Sequence, residues 1–304
     1  MQQKIRRVAA EMGYTPRAIT THTVAVVVDA FALWSDVTAN FLVSADAALR
    51  QHGYHMAVST LGVANMKDAP KLFTSKSVDG VLFTEWCPQA ARHYKALTVP
   101  WLLLADADEP ELEGHVHQVG VDTAGTAKQL TNHLINLGHQ HFCVLTGAIT
   151  VGNHHRVMQG VLQALGAAGL PLDNASVITN NDSTGIELED SLLPLLEGAQ
   201  PPTAIIAGSP GGALVALNRL QRNGYRVPED VSVVSVIDGL RLTALRPAIT
   251  ATTATRNEQV PLAVERLIKL IKQPNLAPER LFLQGEIIER DSVAPTKSLE
   301  AACL

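Results

Sequence analysis

The stretch from Val119 to Gly147 does most to limit what this chain can fold into. An apolar run, Val119-Gly120-Val121, reaches Asp122; Gly125 follows, then a helical pattern with Leu130, Leu134, Ile135 and Leu137 on one face. Gly138-His139 ends that pattern, and the apolar run Phe142 to Leu145 comes next. An Asp after a strand can cap the next helix, a glycine tolerant of positive φ can stop it, and a continuous apolar run suits a buried strand. The stretch is therefore the start of an α/β unit. Strand and helix patterns flank it on both sides, so it is read as the seam where the chain passes from one lobe to another.

The same alternation runs along the rest of the chain. Ile5, Val8, Ala9 and Met12 lie at helical spacing within Gln2 to Tyr14, and Thr20 to Thr23 is a polar connector. Strands are expected at Val24 to Val28, Tyr54 to Thr60, Val81 to Phe83 and Trp101 to Leu104, separated by helices around Phe41 to Leu49, Ala69 to Thr74 and Ala90 to Leu97. Beyond the seam come a helix over Arg156 to Gly166 with Val157, Val161, Leu162 and Leu165 as its apolar stripe, a strand at Val177-Ile178, and a helix over Gly185 to Leu196. A strand at Thr203 to Ala207, a helix over Gly212 to Arg222 and a strand at Val231 to Val236 complete the second half. Alternation of this kind builds a parallel sheet covered on both faces. The expected fold class is α/β, with two doubly wound parallel-sheet lobes in series.

One helix, Pro261 to Lys272, and one strand, Arg280 to Ile288, are left over. Giving one to each lobe makes the chain cross between lobes more than once. Several crossings make a hinge, and a cleft between hinged lobes is a common ligand site.

Composition excludes several classes. The 304 residues suit two domains, and 46% hydrophobic residues can fill a core in each. A net charge of −5 argues against a basic nucleic-acid-binding surface over the whole chain. Cys87, Cys143 and Cys303 are an odd, widely spaced set, which fits a reducing cytoplasm and neither a disulfide framework nor a zinc site. No apolar run approaches the ~18 residues of a membrane span, and Val8 to Met12 is too short for a signal-peptide core, so no membrane partner is expected.

Several motifs, in order and spacing, resemble the sensor core of LacI/GalR-type transcriptional regulators, a periplasmic-binding-protein-like fold. They are Val78-Asp79-Gly80, Val99-Pro100, Asp122 with Gly125, Leu134-Ile135-Asn136-Leu137-Gly138-His139, Gly224, Val227 to Val234, and Glu289 to Pro295. Ile5, Ala9 and Ala10, with Met12-Gly13-Tyr14-Thr15-Pro16, resemble the last helix of the family's DNA-binding headpiece. The resemblance implies a cytoplasmic homodimer whose small-molecule effector, a sugar or sugar acid, binds between the lobes and alters affinity for operator DNA. It divides the chain into a headpiece remnant (1–19), a shortened linker (20–23), a first lobe (24–121 plus 253–282), a second lobe (122–252 plus 283–296) and a tail (297–304). The two helices of a helix-turn-helix would precede Met1; either the start codon is assigned too late, which is the favoured expectation, or direct DNA recognition has been lost. Arg6, Arg7 and Arg17 are the candidate phosphate contacts, with a solvated helix face as the simpler reading.

The pocket departs from the family pattern. Val157 stands where the family places an Arg, with Arg156 one residue early; Ser209-Pro210 replaces an Asn-Asp pair; Ile237-Asp238 keeps only the second of two acids. An effector less hydroxyl-rich than a typical sugar, or none, would follow. Asp29, Trp34, Asp106, Arg156, Ser209 and Asp238 all fall where strands end, which is where open α/β sheets bind ligands. The plainer role for each is a helix cap, a packed ring or a loop residue. Asp122 and Gly125 are the expected hinge turn.

No cofactor or metal is expected. Gly208 to Gly212 lacks the Lys-Ser/Thr of a phosphate loop, and His115, His117, His154 and His155 have no carboxylate or Cys at ligand spacing. Ser209 lacks a nucleophile elbow, so no catalytic residue is assigned and the chain is not expected to be an enzyme. A stand-alone solute-binding protein of the same fold, without DNA binding, is the alternative.

Overall fold

The computed structural model describes residues 20–28, 36–60, 67–84, 91–107, 112–147, 154–170, 177–180, 186–253 and 256–296. The strands β1 (Thr23–Val27), β2 (His55–Ser59), β3 (Gly80–Phe83), β4 (Trp101–Leu103) and β5 (Gln118–Val121) come first. They are followed by β6 (Phe142–Gly147), β7 (Val177–Asn180), β8 (Ala204–Ala207), β9 (Ser232–Ser235) and β10 (Thr250–Thr252), then by β11 (Arg280–Leu283) and β12 (Ile287–Ile288). They form two six-stranded sheets, ordered β11-β5-β4-β3-β1-β2 and β12-β10-β9-β8-β6-β7. Every pairing is parallel except that of β12 with β10. The two orders are the same pattern twice, and each reverses direction between its first and third strands in sequence.

Continuous apolar strands are what this layering requires, because both faces of each sheet are covered. In the first sheet Val24, Val26, Leu82 and Val119 pack with Phe41, Ala45 and Leu49 of the helix Asp36–Gln51 and with Val264 and Leu267 of the helix Arg256–Lys272. The alternate residues Ala25, Val27, Val81 and Phe83 face Phe73 and Tyr94. In the second sheet Leu145, Ile205 and Val233 meet the helices Ile186–Leu196 and Pro210–Arg222. Val144, Ile206 and Val234 meet Thr123–Asn136 and His154–Ala167.

The structure departs from the sequence expectation at three places. The final strand is two strands: β11 pairs with β5 in the first sheet and β12 with β10 in the second. The leftover helix therefore joins the first sheet together with β11, and only β12 goes to the second. Leu162 is 49% exposed, while Val157, Met158, Val161, Ala164 and Leu165 are buried, so the helix turns its stripe one residue away from Leu162. The short strand β10 and the helix Leu240–Ala244 carry no clear period; Thr250 and Thr252 are buried polar residues whose partners, not their pattern, place them. Thr252 donates to the Val236 carbonyl, and the Thr250 N–H donates to Ser292 Oγ at 2.8 Å. The expected helix over Gln2 to Tyr14 lies outside the described residues.

Asp122 caps the helix Thr123–Asn136, accepting the Gly125 N–H on Oδ1 at 2.8 Å. A Cβ at Gly125 would overlap that carboxylate. Gly125→Ala should therefore displace the cap and cost about 1–2 kcal/mol in urea unfolding; an unchanged midpoint would contradict this. His139 is buried, with Nδ1 2.9 Å from Thr203 Oγ1 and Nε2 3.1 Å from the Ala294 carbonyl oxygen, tying the C-terminal segment to the second sheet. Burial is the main reason its pKa lies below the usual value. The unfolded chain thus binds the proton more readily, and stability is lost as pH falls through the ordinary His value of about 6.5. His139→Gln should flatten that part of the stability–pH curve.

Candidate effector site between the two sheets

The chain passes between the sheets three times: from β5 into the helix Thr123–Asn136, from β10 into the helix Arg256–Lys272, and from β11 to β12. The crossings lie side by side and are bonded to one another. Gln284 Nε2 donates to Asp122 Oδ2 at 3.2 Å and the Gly285 N–H to Thr126 Oγ1 at 3.4 Å. The Thr253 N–H donates to the Glu286 carbonyl at 2.6 Å, and the Glu286 N–H returns to Thr253 Oγ1 at 2.8 Å. A Cβ at Gly285 would come within 2.8 Å of the Thr253 carbonyl oxygen, so only glycine lets the strands draw this close.

Asp106 stands beyond the carboxyl end of β4 and Arg156 in the first turn of the helix after β6. The two come from different sheets and meet, with Arg156 Nε 3.6 Å from Asp106 Oδ1. The Asp106 side chain is 0% exposed and that of Arg156 14%. Oδ2 of Asp106 accepts the Thr123 N–H at 2.9 Å, at the positive end of a helix dipole. Oδ1 accepts no hydrogen bond among the described residues. Burial pushes the Asp106 pKa above the usual carboxylate value; Thr123 and Arg156 pull it down but do not cancel the burial. Arg156 Nη1 also donates to Gln159 Oε1 at 2.9 Å.

The loop that carries Asp106 is held from beneath. Gln118, fully buried, donates through Nε2 to the Ala105 and Ala107 carbonyls at 2.7 and 2.8 Å. Its Oε1 accepts Arg280 Nε at 2.8 Å, and Arg280 Nη2 reaches the Ala107 carbonyl at 2.6 Å. Asp106 is thus aimed by a strand residue and by β11, the element that sequence periodicity merged with β12.

The other candidates have other partners. Asp238 accepts a two-pronged contact from Arg290, Nη1 to Oδ1 at 2.9 Å and Nη2 to Oδ2 at 2.7 Å, and Oδ1 also takes the Gly239 N–H. It fastens the C-terminal segment to the end of β9. Ser209 caps the helix Pro210–Arg222 through the Gly212 N–H at 3.2 Å, with proline in the first turn where its missing N–H costs nothing. Asp29, Trp34, Arg6, Arg7 and Arg17 lie outside the described residues. Among the described residues no group of three His, Cys, Asp or Glu side chains is placed to hold a metal ion. No described helix is long and apolar enough to cross a membrane.

Sequence reasoning missed Gln118, Arg280, Arg290, Thr253 and Gly285. Only Gly285 carried a signal, since a glycine inside a strand pattern marks a close backbone approach or an interruption.

Known proteins agree with this architecture. Residues 131–293, more than half of the chain, match the periplasmic binding protein-like domain. The chain is 26% identical to the HTH-type transcriptional repressor CytR of Escherichia coli, over 96% of its own length and 87% of the repressor's. It is 25% identical to the ribose operon repressor of Haemophilus influenzae, over 98% and 91% of the two lengths. The solved structure of a CelR–cellobiose complex superposes with a TM-score of 0.79 at 25% identity, covering 95% of this chain and 90% of that one. These relatives are transcriptional regulators and not enzymes. The chain belongs to the periplasmic-binding-protein-like family and is the effector-binding core of a LacI/GalR-type transcriptional regulator.

Proposed function

We propose that this core senses a small sugar-like metabolite or sugar acid between a first lobe (24–121 plus 253–282) and a second (122–252 plus 283–296). In this reading it acts in the cytoplasm as a homodimer and, through the chain ahead of residue 20, governs a repressor's hold on operator DNA. The observation that carries the proposal is the buried pair of Asp106 and Arg156, contributed by opposite sheets. A ligand hydroxyl both donates and accepts, so it can donate to Asp106 Oδ1 and accept from Arg156, replacing a 3.6 Å contact with two hydrogen bonds. The cellobiose complex of CelR and the name of the ribose operon repressor support a carbohydrate.

The regulatory step is a population shift. A buried ion pair adds little net stability, because desolvation offsets the attraction, and it is lost once the lobes part and water enters. A ligand that makes these bonds in only one lobe setting favours that setting by its differential affinity. Asp122 and Gly125, with the bonded crossings beside them, form the turn about which the lobes move.

Calorimetry with ribose, cellobiose and a panel of monosaccharides and sugar acids tests the site. Asp106→Asn and Arg156→Ala should each weaken the best-bound sugar by about tenfold or more, the worth of one charge-assisted hydrogen bond. Ser209→Ala should change it by less than about threefold, as expected of a helix cap. Unchanged affinity in both Asp106→Asn and Arg156→Ala would place the site elsewhere. Sugar binding by the whole protein with no operator binding, with or without sugar, would favour a stand-alone solute-binding protein.

A further inference from the structure

At the end of the first sheet away from the cleft, Asp79 gathers the chain that enters β1. Its Oδ1 accepts the Thr21 N–H at 2.8 Å and Thr21 Oγ1 at 2.9 Å, and its Oδ2 accepts the His22 N–H at 2.8 Å. Its own N–H donates to the Thr23 carbonyl at 2.8 Å. One residue that leads into β3 thus binds the two residues that lead into β1 and the first residue of that strand, across more than fifty positions of sequence. Between them His22 has φ +51°, among the described residues the one non-glycine in the left-handed region. Such a conformation is unfavourable for a residue with a side chain and persists only where its surroundings fix it. Here they do: the His22 N–H goes to Asp79, its carbonyl accepts the His55 N–H at 2.7 Å, and its ring lies 5.6 Å from that of Tyr54.

A connector that only needed to join two folded parts would have no use for a strained, over-determined turn. β1 and β3 are neighbours, with Val24 opposite Gly80 and Val27 opposite Phe83, and at their far ends the Thr84 N–H donates to the Val27 carbonyl at 3.1 Å. The clamp at Asp79 and the cleft end of the lobe are therefore opposite ends of one rigid strand pair, about 15 Å long. We propose that Asp79 is a positioning residue: with the left-handed turn at His22 it fixes the direction in which the chain ahead of residue 20 leaves the first sheet. Movement of the lobe is then delivered to that segment without slack. The transmitting role rests on the regulator reading above; the clamp itself does not.

The test uses the whole chain and needs neither DNA nor effector, so its outcome is separable from that reading. A short-linker fluorophore is placed on Thr20→Cys, with Cys87 and Cys303 changed to Ser. Cys143 is buried, its thiol pKa pushed to about 12, and stays unlabelled. The label should tumble with the protein, and Asp79→Ala should give it a dominant nanosecond motion of its own. Amide exchange at Thr21 and His22 should quicken by about tenfold or more in Asp79→Ala and by less in Asp79→Asn. Amides of Val81 and Leu82 should stay protected in both, which separates loss of the clamp from loss of the sheet. His22→Gly, which removes the strain and keeps the Asp79 bonds, should leave the label anchored. A label equally mobile in the parent and in Asp79→Ala, or unchanged exchange at Thr21 and His22, would overturn the proposal.

Discussion

Three strand crossings bonded to one another make this molecule a pair of sheets with a shared joint. Each crossing alone would be a flexible connector. Joined through Asp122–Gln284, Thr126–Gly285 and Thr253–Glu286, they restrict the sheets to rotations that all three tolerate together. That restriction gives the Asp106–Arg156 contact its meaning, because a carboxylate on one sheet can reach a guanidinium on the other only in a narrow range of settings. Packing on both faces makes each sheet rigid, so the movement that the proposed sensing requires would be taken up at the joint.

Electrostatics at the contact are balanced rather than strongly favourable. Asp106 is buried enough to raise its pKa despite the Thr123 N–H and the Arg156 guanidinium. A carboxyl raised in the folded state binds its proton more tightly there than in the unfolded chain. Its contribution therefore declines as pH rises from the ordinary Asp value, about 3.9, through the raised one. A contact with so small a net worth is one that the proposed ligand could replace at little cost. The bidentate pair of Asp238 and Arg290 works differently: it lies within the second sheet's own segment and serves that lobe's integrity.

Most of the fold could be read from the chain because its strands are long apolar runs and its helix stops are glycines. What could not be read was set by single partners. The run Arg280 to Ile288 looks like one strand because both of its halves are β-compatible; only Gly285 passing close to Thr253 tells that it changes sheets. Leu162 fits the helical spacing of a buried stripe, yet neighbouring Met158 and Ala164 supply that face. Strand ends marked Asp106 and Arg156 as candidates, but nothing in periodicity shows that they meet, or that Gln118 and Arg280 hold the loop that carries Asp106. Ser209 and Asp238 carried the same strand-end mark and have local partners instead, so position at a sheet edge marks candidates without ranking them.

The Asp106–Arg156 contact joins residues of the two sheets, so removing one partner, which leaves the other charge buried without its counter-charge, is expected to alter how the lobes sit. Pulsed electron resonance between spin labels at the exposed positions Ala47, on the first lobe, and Gln163, on the second, reads that placement directly. Without any ligand, Asp106→Ala should broaden the distance distribution and move its centre, while Asp238→Ala should leave the centre in place. An Asp106→Ala distribution that matches the parent in centre and width would contradict the account.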